Sequence, residues 1–206
     1  MRGASRWKLA VVLALLAGSQ WAEAGPVTIW QDGVDSGSFD PAWTKTGAWT
    51  IVTSSSAAHD GTRGVDITGP TSGGGDVLEL QVSTVGYQDI EFTDWSKVRA
   101  ALESTDSLVT QVSTDGGQSW QNLKTYANLP AGDWSKDSFP LPIEADNNPN
   151  LEIRLWATFD SGSDRTGFDT FVLSGTPVPE PSAVAILGVG AASLALWRRR
   201  FLRFVG

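Results

Sequence analysis

The chain has 206 residues, no cysteine, 15 Lys and Arg against 23 Asp and Glu, and a formal net charge of −8. Disulfides and thiol chemistry are thereby excluded, and so is the clustered basic surface that phosphate backbones require. Residues 25–179 alone carry 8 basic and 21 acidic side chains, a net of −13, which repels nucleic acid and anionic membrane surfaces.

Arg2, Arg6 and Lys8 precede an apolar run from Leu9 to Ala17, and Ala22-Glu23-Ala24 follows. A basic start, a short apolar core and a small-residue site predict a signal peptide over 1–24. Signal peptidase is expected to read Ala22 and Ala24 and to cut after Ala24.

The next 150 or so residues suffice for one domain with its own core. Apolar and polar residues alternate along Asp76–Ser83, with Leu78, Leu80 and Val82 on one face. They alternate again along Asn150–Ala157, with Leu151, Ile153, Leu155 and Ala157 inward and Trp156 out of phase, on the outer face. A period of two predicts half-buried antiparallel strands. Further strands are expected near Val27–Gln31, Ala48–Thr53, Gly64–Thr68, Asp89–Val98, Ser107–Thr114, Trp120–Tyr126, Ser135–Leu141 and Gly167–Ser174. Turns rich in Gly, Ser and Asp separate them, at Ser72–Gly75, Asp115–Gly117 and Asp160–Asp164. Many short strands at this spacing predict an all-β fold, an antiparallel β-sandwich of jelly-roll type over 25–175. The signal helix and a C-terminal transmembrane helix would flank it.

Within that domain, Ser113, Asp115, Gly117, Ser119 and Trp120 fit the Asp-box pattern Ser-x-Asp-x-Gly-x-Ser/Thr-Trp. Its physics is that of a hairpin: Asp115 bonds backbone amides across the turn, a glycine supplies positive φ, and Trp120 packs beneath. A propeller needs several copies and the chain has one, so a structural hairpin is expected. Catalysis finds little support. His59 is the sole histidine, zinc lacks its usual ligands, and Ser72–Gly75 lacks the lysine of a phosphate loop. Seven tryptophans remain in the exported part: Trp30, Trp43, Trp49, Trp95, Trp120, Trp134 and Trp156. Most are expected to be core or strand-packing residues, and any exposed one could stack on a sugar ring.

The order of features from His59–Gly64 through Ser113–Trp120 to Gly167–Gly175 resembles MAM-like or lectin-like jelly rolls of secreted bacterial proteins. That resemblance implies one structural Ca²⁺, held by a carboxylate of the first strand, loop carbonyls and an aspartate of the last. Asp32 and Asp169 occupy those positions, and calcium would need 6–8 oxygens in all. No other cofactor is expected.

The C-terminal end has three parts. Val178, Pro179, Glu180, Pro181 and Ser182 belong to a Pro-rich linker over 176–182, where proline favours an extended spacer. Ala183–Trp197 is an uncharged apolar run, and Arg198, Arg199 and Arg200 close it. Such a segment with a basic end reads as a membrane helix with its positive end in the cytoplasm. Its 15 residues reach roughly 22 Å, so it spans a ~30 Å core only with local thinning and arginine snorkelling.

This three-part ending resembles the PEP-CTERM sorting signal of exported Gram-negative proteins. The resemblance implies recognition by an exosortase, cleavage near Pro179-Glu180-Pro181, and loss of residues 183–206. The expected partners are therefore exosortase, signal peptidase, the inner membrane in transit, and exopolysaccharide. The expected destination is the cell surface or extracellular matrix, where a non-catalytic sandwich contributes to biofilm structure. A carbohydrate-binding module is the alternative, and a glycan-active hydrolase a more distant one.

Overall fold

Strand alternation places the apolar residues on facing sides of two antiparallel sheets in a computed structural model that describes residues 25–54 and 56–178. Eleven strands form: β1 (Val27–Asp32), β2 (Trp43–Lys45), β3 (Thr50–Val52), β4 (Gly64–Thr68), β5 (Asp76–Val82) and β6 (Tyr87–Val98). Then come β7 (Ser107–Ser113), β8 (Gln121–Tyr126), β9 (Ser135–Pro140), β10 (Leu151–Thr158) and β11 (Arg165–Pro177). The first sheet runs β3-β4-β11-β6-β9, with β1 also pairing β11; the second runs β2-β5-β10-β7-β8. Each sheet thus mixes early and late strands, as a jelly-roll sandwich requires.

The core between the sheets is aromatic and branched-aliphatic. Leu78 and Leu80 of β5, Ile153 and Leu155 of β10, and Phe92, Phe168, Phe171 and Leu173 of the opposite sheet are all fully buried. Phe171 is central. Its ring meets Trp43 edge-on at 5.0 Å and stacks with Phe92 and Phe168 at 6.4 Å each, separations within the favourable aromatic range. Of the seven tryptophans, Trp43 and Trp49 are buried and Trp30 packs half-buried against the core, while Trp95, Trp120, Trp134 and Trp156 are half-buried outside it.

The elements differ from expectation at a few places. β2 has no counterpart among the expected strands, because Trp43-Thr44-Lys45 holds a single apolar residue and shows no alternation. β6 starts at Tyr87, two residues early, and passes through Asp89 with a φ of 53°. β11 continues through Thr176 and Pro177, which pair with Gln88 and Tyr87 of β6. The sheet therefore takes in the first two residues of the expected linker. The predicted signal peptide and the run Ala183–Trp197 lie outside the described residues. Among the described residues no helix is long and apolar enough to cross a membrane.

Candidate functional site

β10 lies in the middle of the second sheet, between β5 and β7. Its inward residues Leu151, Ile153, Leu155 and Ala157 fill the core. Its other residues, Glu152, Arg154 and Trp156, therefore stand on the outer face. Register then sets Arg154 opposite Glu79 on β5 and Gln111 on β7. Thr44 of β2 lies beyond Glu79, and Asn122 of β8 lies beyond Gln111. One polar row so crosses all five strands.

The row is wired. Arg154 Nε donates to Gln111 Oε1 at 2.7 Å, and Gln111 Nε2 donates to Asn122 Oδ1 at 2.6 Å. The guanidinium carbon of Arg154 sits 3.9 Å from the Trp120 ring centre and 5.5 Å from that of Trp156. These are cation–π distances. Among the described residues the two terminal nitrogens of Arg154 have no protein acceptor, so their N–H groups are unspent. One row along, Gln81 Nε2 donates to Glu152 Oε1 at 3.3 Å.

This outer face is shielded. Gln111 and Glu152 point away from the core yet are only 7% and 8% exposed. Burial pushes the Glu152 carboxyl up, with the charges of Glu79 and Asp115 adding to it. Burial likewise pulls the Arg154 guanidinium down. Beside the arginine a depression of about 240 Å³ is lined by Thr44, Lys45, Thr46, Val77, Glu79 and Arg154.

Two loops brace the tryptophans. Trp156 Nε1 donates to the carbonyl of Gly74 at 3.1 Å. Only a glycine fits at position 75, where φ is +82° and a Cβ would lie 2.0 Å from Trp156 Nε1. On the other side, Trp120 Nε1 donates to the carbonyl of Gly117 at 3.1 Å. In that hairpin Asp115 Oδ1 accepts the amides of Gln118 and Ser119, and Ser113 Oγ accepts that of Gly117. The Ser119 hydroxyl, also bonded to Asp115, leads the contacts that hold its carboxyl down at about 2. The hairpin residues Ser113, Asp115, Gly117 and Ser119 thus serve to present Trp120.

The remaining expected site residues fall elsewhere. Asp32 ends β1 and pairs with Phe171, so it lies near Asp169 on the neighbouring strand β11. Its oxygens accept the amides of Val34 and Asp40. Asp169 Oδ2 accepts those of His59 and Asp60, and Oδ1 that of Thr170. Burial raises the Asp169 carboxyl, and these amides oppose it. Both groups are thus occupied in holding loops. Glu103, Asp106 and Asp164, which sequence reasoning passed over, do converge, with oxygens within 4.8 Å of one another. Asp106 and Asp164 each precede a strand and are bonded to loop amides, a role that leaves no spacing signature. His59 lies flat on Trp95, ring centres 3.6 Å apart, with Trp134 edge-on at 5.7 Å. Val178 follows β11 and is exposed, while Pro179–Ser182 and Arg198–Arg200 lie outside the described residues.

The PEP-CTERM protein-sorting motif matches residues 177–200. No curated protein matches the chain in sequence. Solved structures do share its fold. TmCBM61, solved in complex with β-1,4-galactotriose, is 19% identical with a TM-score of 0.53, over 68% of this chain and 92% of that one. The K3 cleaved adhesin domain of Lys-gingipain from Porphyromonas gingivalis is 14% identical with a TM-score of 0.56, over 73% and 99%. The CBM22-1 xylan-binding domain from Paenibacillus barcinonensis is 15% identical with a TM-score of 0.52, over 77% and 99%. At such identities the likeness is one of fold alone, that of an antiparallel β-sandwich.

Proposed function

We propose that this is an exported protein, released or retained outside the cell after exosortase processing, whose sandwich binds a glycan without cleaving it. The unspent N–H groups of Arg154, held between Trp120 and Trp156, carry the reading. A pyranose ring has apolar faces and a rim of hydroxyls. Indole rings suit the first, and fixed planar donors and acceptors suit the second. Arg154, Gln111, Asn122 and Glu79 supply the polar set in one row, and the strands beneath hold it rigid.

The sorting motif at 177–200 supports the exported setting. Pro179-Glu180-Pro181 presents the recognition site, Ala183–Trp197 holds it in the inner membrane, and Arg198–Arg200 fix orientation. In that setting a glycan-binding domain contributes to an exopolysaccharide matrix. His59, the sole histidine, is engaged with Trp95, which favours binding over hydrolysis.

Affinity electrophoresis against a panel of extracellular polysaccharides, including galactans and xylans, tests this. Retardation of the wild type that is lost in Trp156→Ala supports the reading. Equal mobility of both proteins on every polymer overturns it.

A further inference from the structure

Lys124 of β8 and Asp137 of β9 bring the two sheets together at one edge. The Lys124 Nζ stands 2.6 Å from each oxygen of the Asp137 carboxylate, so it faces the carbon between them. The two oxygens are not equivalent. Oδ2 accepts from Tyr126 OH at 2.5 Å and from Ser96 Oγ at 2.8 Å, whereas Oδ1 has Lys124 alone. One oxygen is thus held as a carbonyl oxygen would be, and the other is free to leave.

Asp94 completes the group. It is the direct cross-strand partner of Asp137 on β6, which places their Cβ atoms about 5 Å apart. It is 0% exposed, and neither of its oxygens has a hydrogen-bond partner. A buried carboxylate with no partner is costly, and the core gains nothing from one. Burial, then the charge of Asp137, lifts its carboxyl to about 8, so it holds a proton at neutral pH. An orphaned acid beside an amine and a carboxyl is a proton relay in search of a reaction.

We propose that Lys124 and Asp137 condense to an isopeptide bond that ties the two sheets covalently, with Asp94 relaying the protons. Within the pair, one proton passes from the ammonium to the carboxylate, leaving a neutral amine and a carboxylic acid. The Nζ lone pair attacks Cγ of Asp137, and Tyr126 and Ser96 steady the charge that grows on Oδ2. Asp94, protonated at the outset, gives its proton to Oδ1 and takes the second proton of the nitrogen in its place. The Cγ–Oδ1 bond breaks and water departs. The products are one amide and one water, Asp94 is restored, and nothing is oxidised or reduced.

Contact at this range supplies the effective concentration that amide formation needs. The Asp137 side chain is 11% exposed, which limits the return of water, and Lys124 at 32% gives the released molecule its exit. A chain without cysteine has no other covalent staple between its sheets.

Peptide mapping of the full chain with trypsin tests the proposal. The bond blocks cleavage after Lys124. It joins Ala100–Lys136 to Asp137–Arg154 in a species one water lighter than the two peptides together. Lys124→Arg keeps the ion pair and the fold, and the joined species should vanish. In Asp94→Asn, with folding checked by circular dichroism, it should be lost as well. Separate Ala100–Lys124, Thr125–Lys136 and Asp137–Arg154 peptides from the wild type would overturn the bond. Full joining in Asp94→Asn would overturn the relay. Water loss that persists in Lys124→Arg would place the dehydration at another residue and overturn the assignment.

Discussion

Arg154 of β10 lies with its guanidinium carbon 3.9 Å from the ring centre of Trp120, which directly precedes β8 of the same sheet. The contact fixes the plane of the arginine, while Gln111 fixes its rotation about that plane. A planar fork fixed this way loses little freedom when a ligand arrives, so its remaining donors bind efficiently. The second ring, Trp156, is placed by a loop rather than by the strand alone.

That loop gives the first prediction. Gly75→Ala puts a Cβ where φ is +82° and Trp156 Nε1 is 2.0 Å away. The left-handed backbone alone costs about 1–2 kcal/mol for an L-residue. The clash also breaks the bond from Trp156 to the Gly74 carbonyl. The variant should melt lower than the wild type, and its tryptophan emission should shift red as Trp156 meets water.

In the core, Phe171→Ala removes a ring that touches Trp43, Phe92 and Phe168. Truncation of a buried Phe typically costs about 3–5 kcal/mol. Urea unfolding should show a lower midpoint with an unchanged slope, since the exposed surface on unfolding is the same.

Asp94 sets a pH dependence. Its carboxyl titrates near 8 in the folded protein and from an ordinary value of 3.8 in the unfolded chain, with burial the larger cause. Between those values the folded state keeps a proton that the unfolded state has released. Stability from this group is therefore complete below about pH 4 and falls as pH rises toward 8. Asp94→Asn removes the titration. Its melting temperature should decline less than that of the wild type from pH 5 to pH 8.

Much of the fold was legible in alternation. Leu78 and Leu80, then Ile153 and Leu155, announced their inward faces, and Trp156 announced itself as outward by falling out of phase. β2 escaped because Trp43-Thr44-Lys45 holds a single apolar residue and so shows no alternation. The continuation of β11 through Pro177 escaped because proline argues against a strand interior, and only the pairing to β6 reveals it. The polar row was illegible for another reason. Thr44, Glu79, Gln111, Asn122 and Arg154 sit on five strands, and register alone aligns them. Lys124 and Asp137 meet across two sheets, which no one-dimensional pattern encodes.

Sorting yields its own prediction. Replacing Pro179, Glu180 and Pro181 with alanine should leave the chain uncut at that point. The extracellular mass should then shift from a product ending near the motif to membrane-held protein that keeps Arg198–Arg200. An unchanged product would remove the motif from processing.

Tryptophan-fluorescence titration with a polysaccharide that retards the wild type tests the binding face most directly, using Trp120→Ala, Trp156→Ala and Trp95→Ala. The first two lie beside Arg154, and the third lies under His59 on the opposite sheet. Loss of a central aromatic contact typically costs about 2 kcal/mol or more, roughly a thirtyfold drop in affinity. Affinity should fall by that order in the first two proteins and stay at the wild-type level in the third. Loss in Trp95→Ala with retention in the other two would contradict the account.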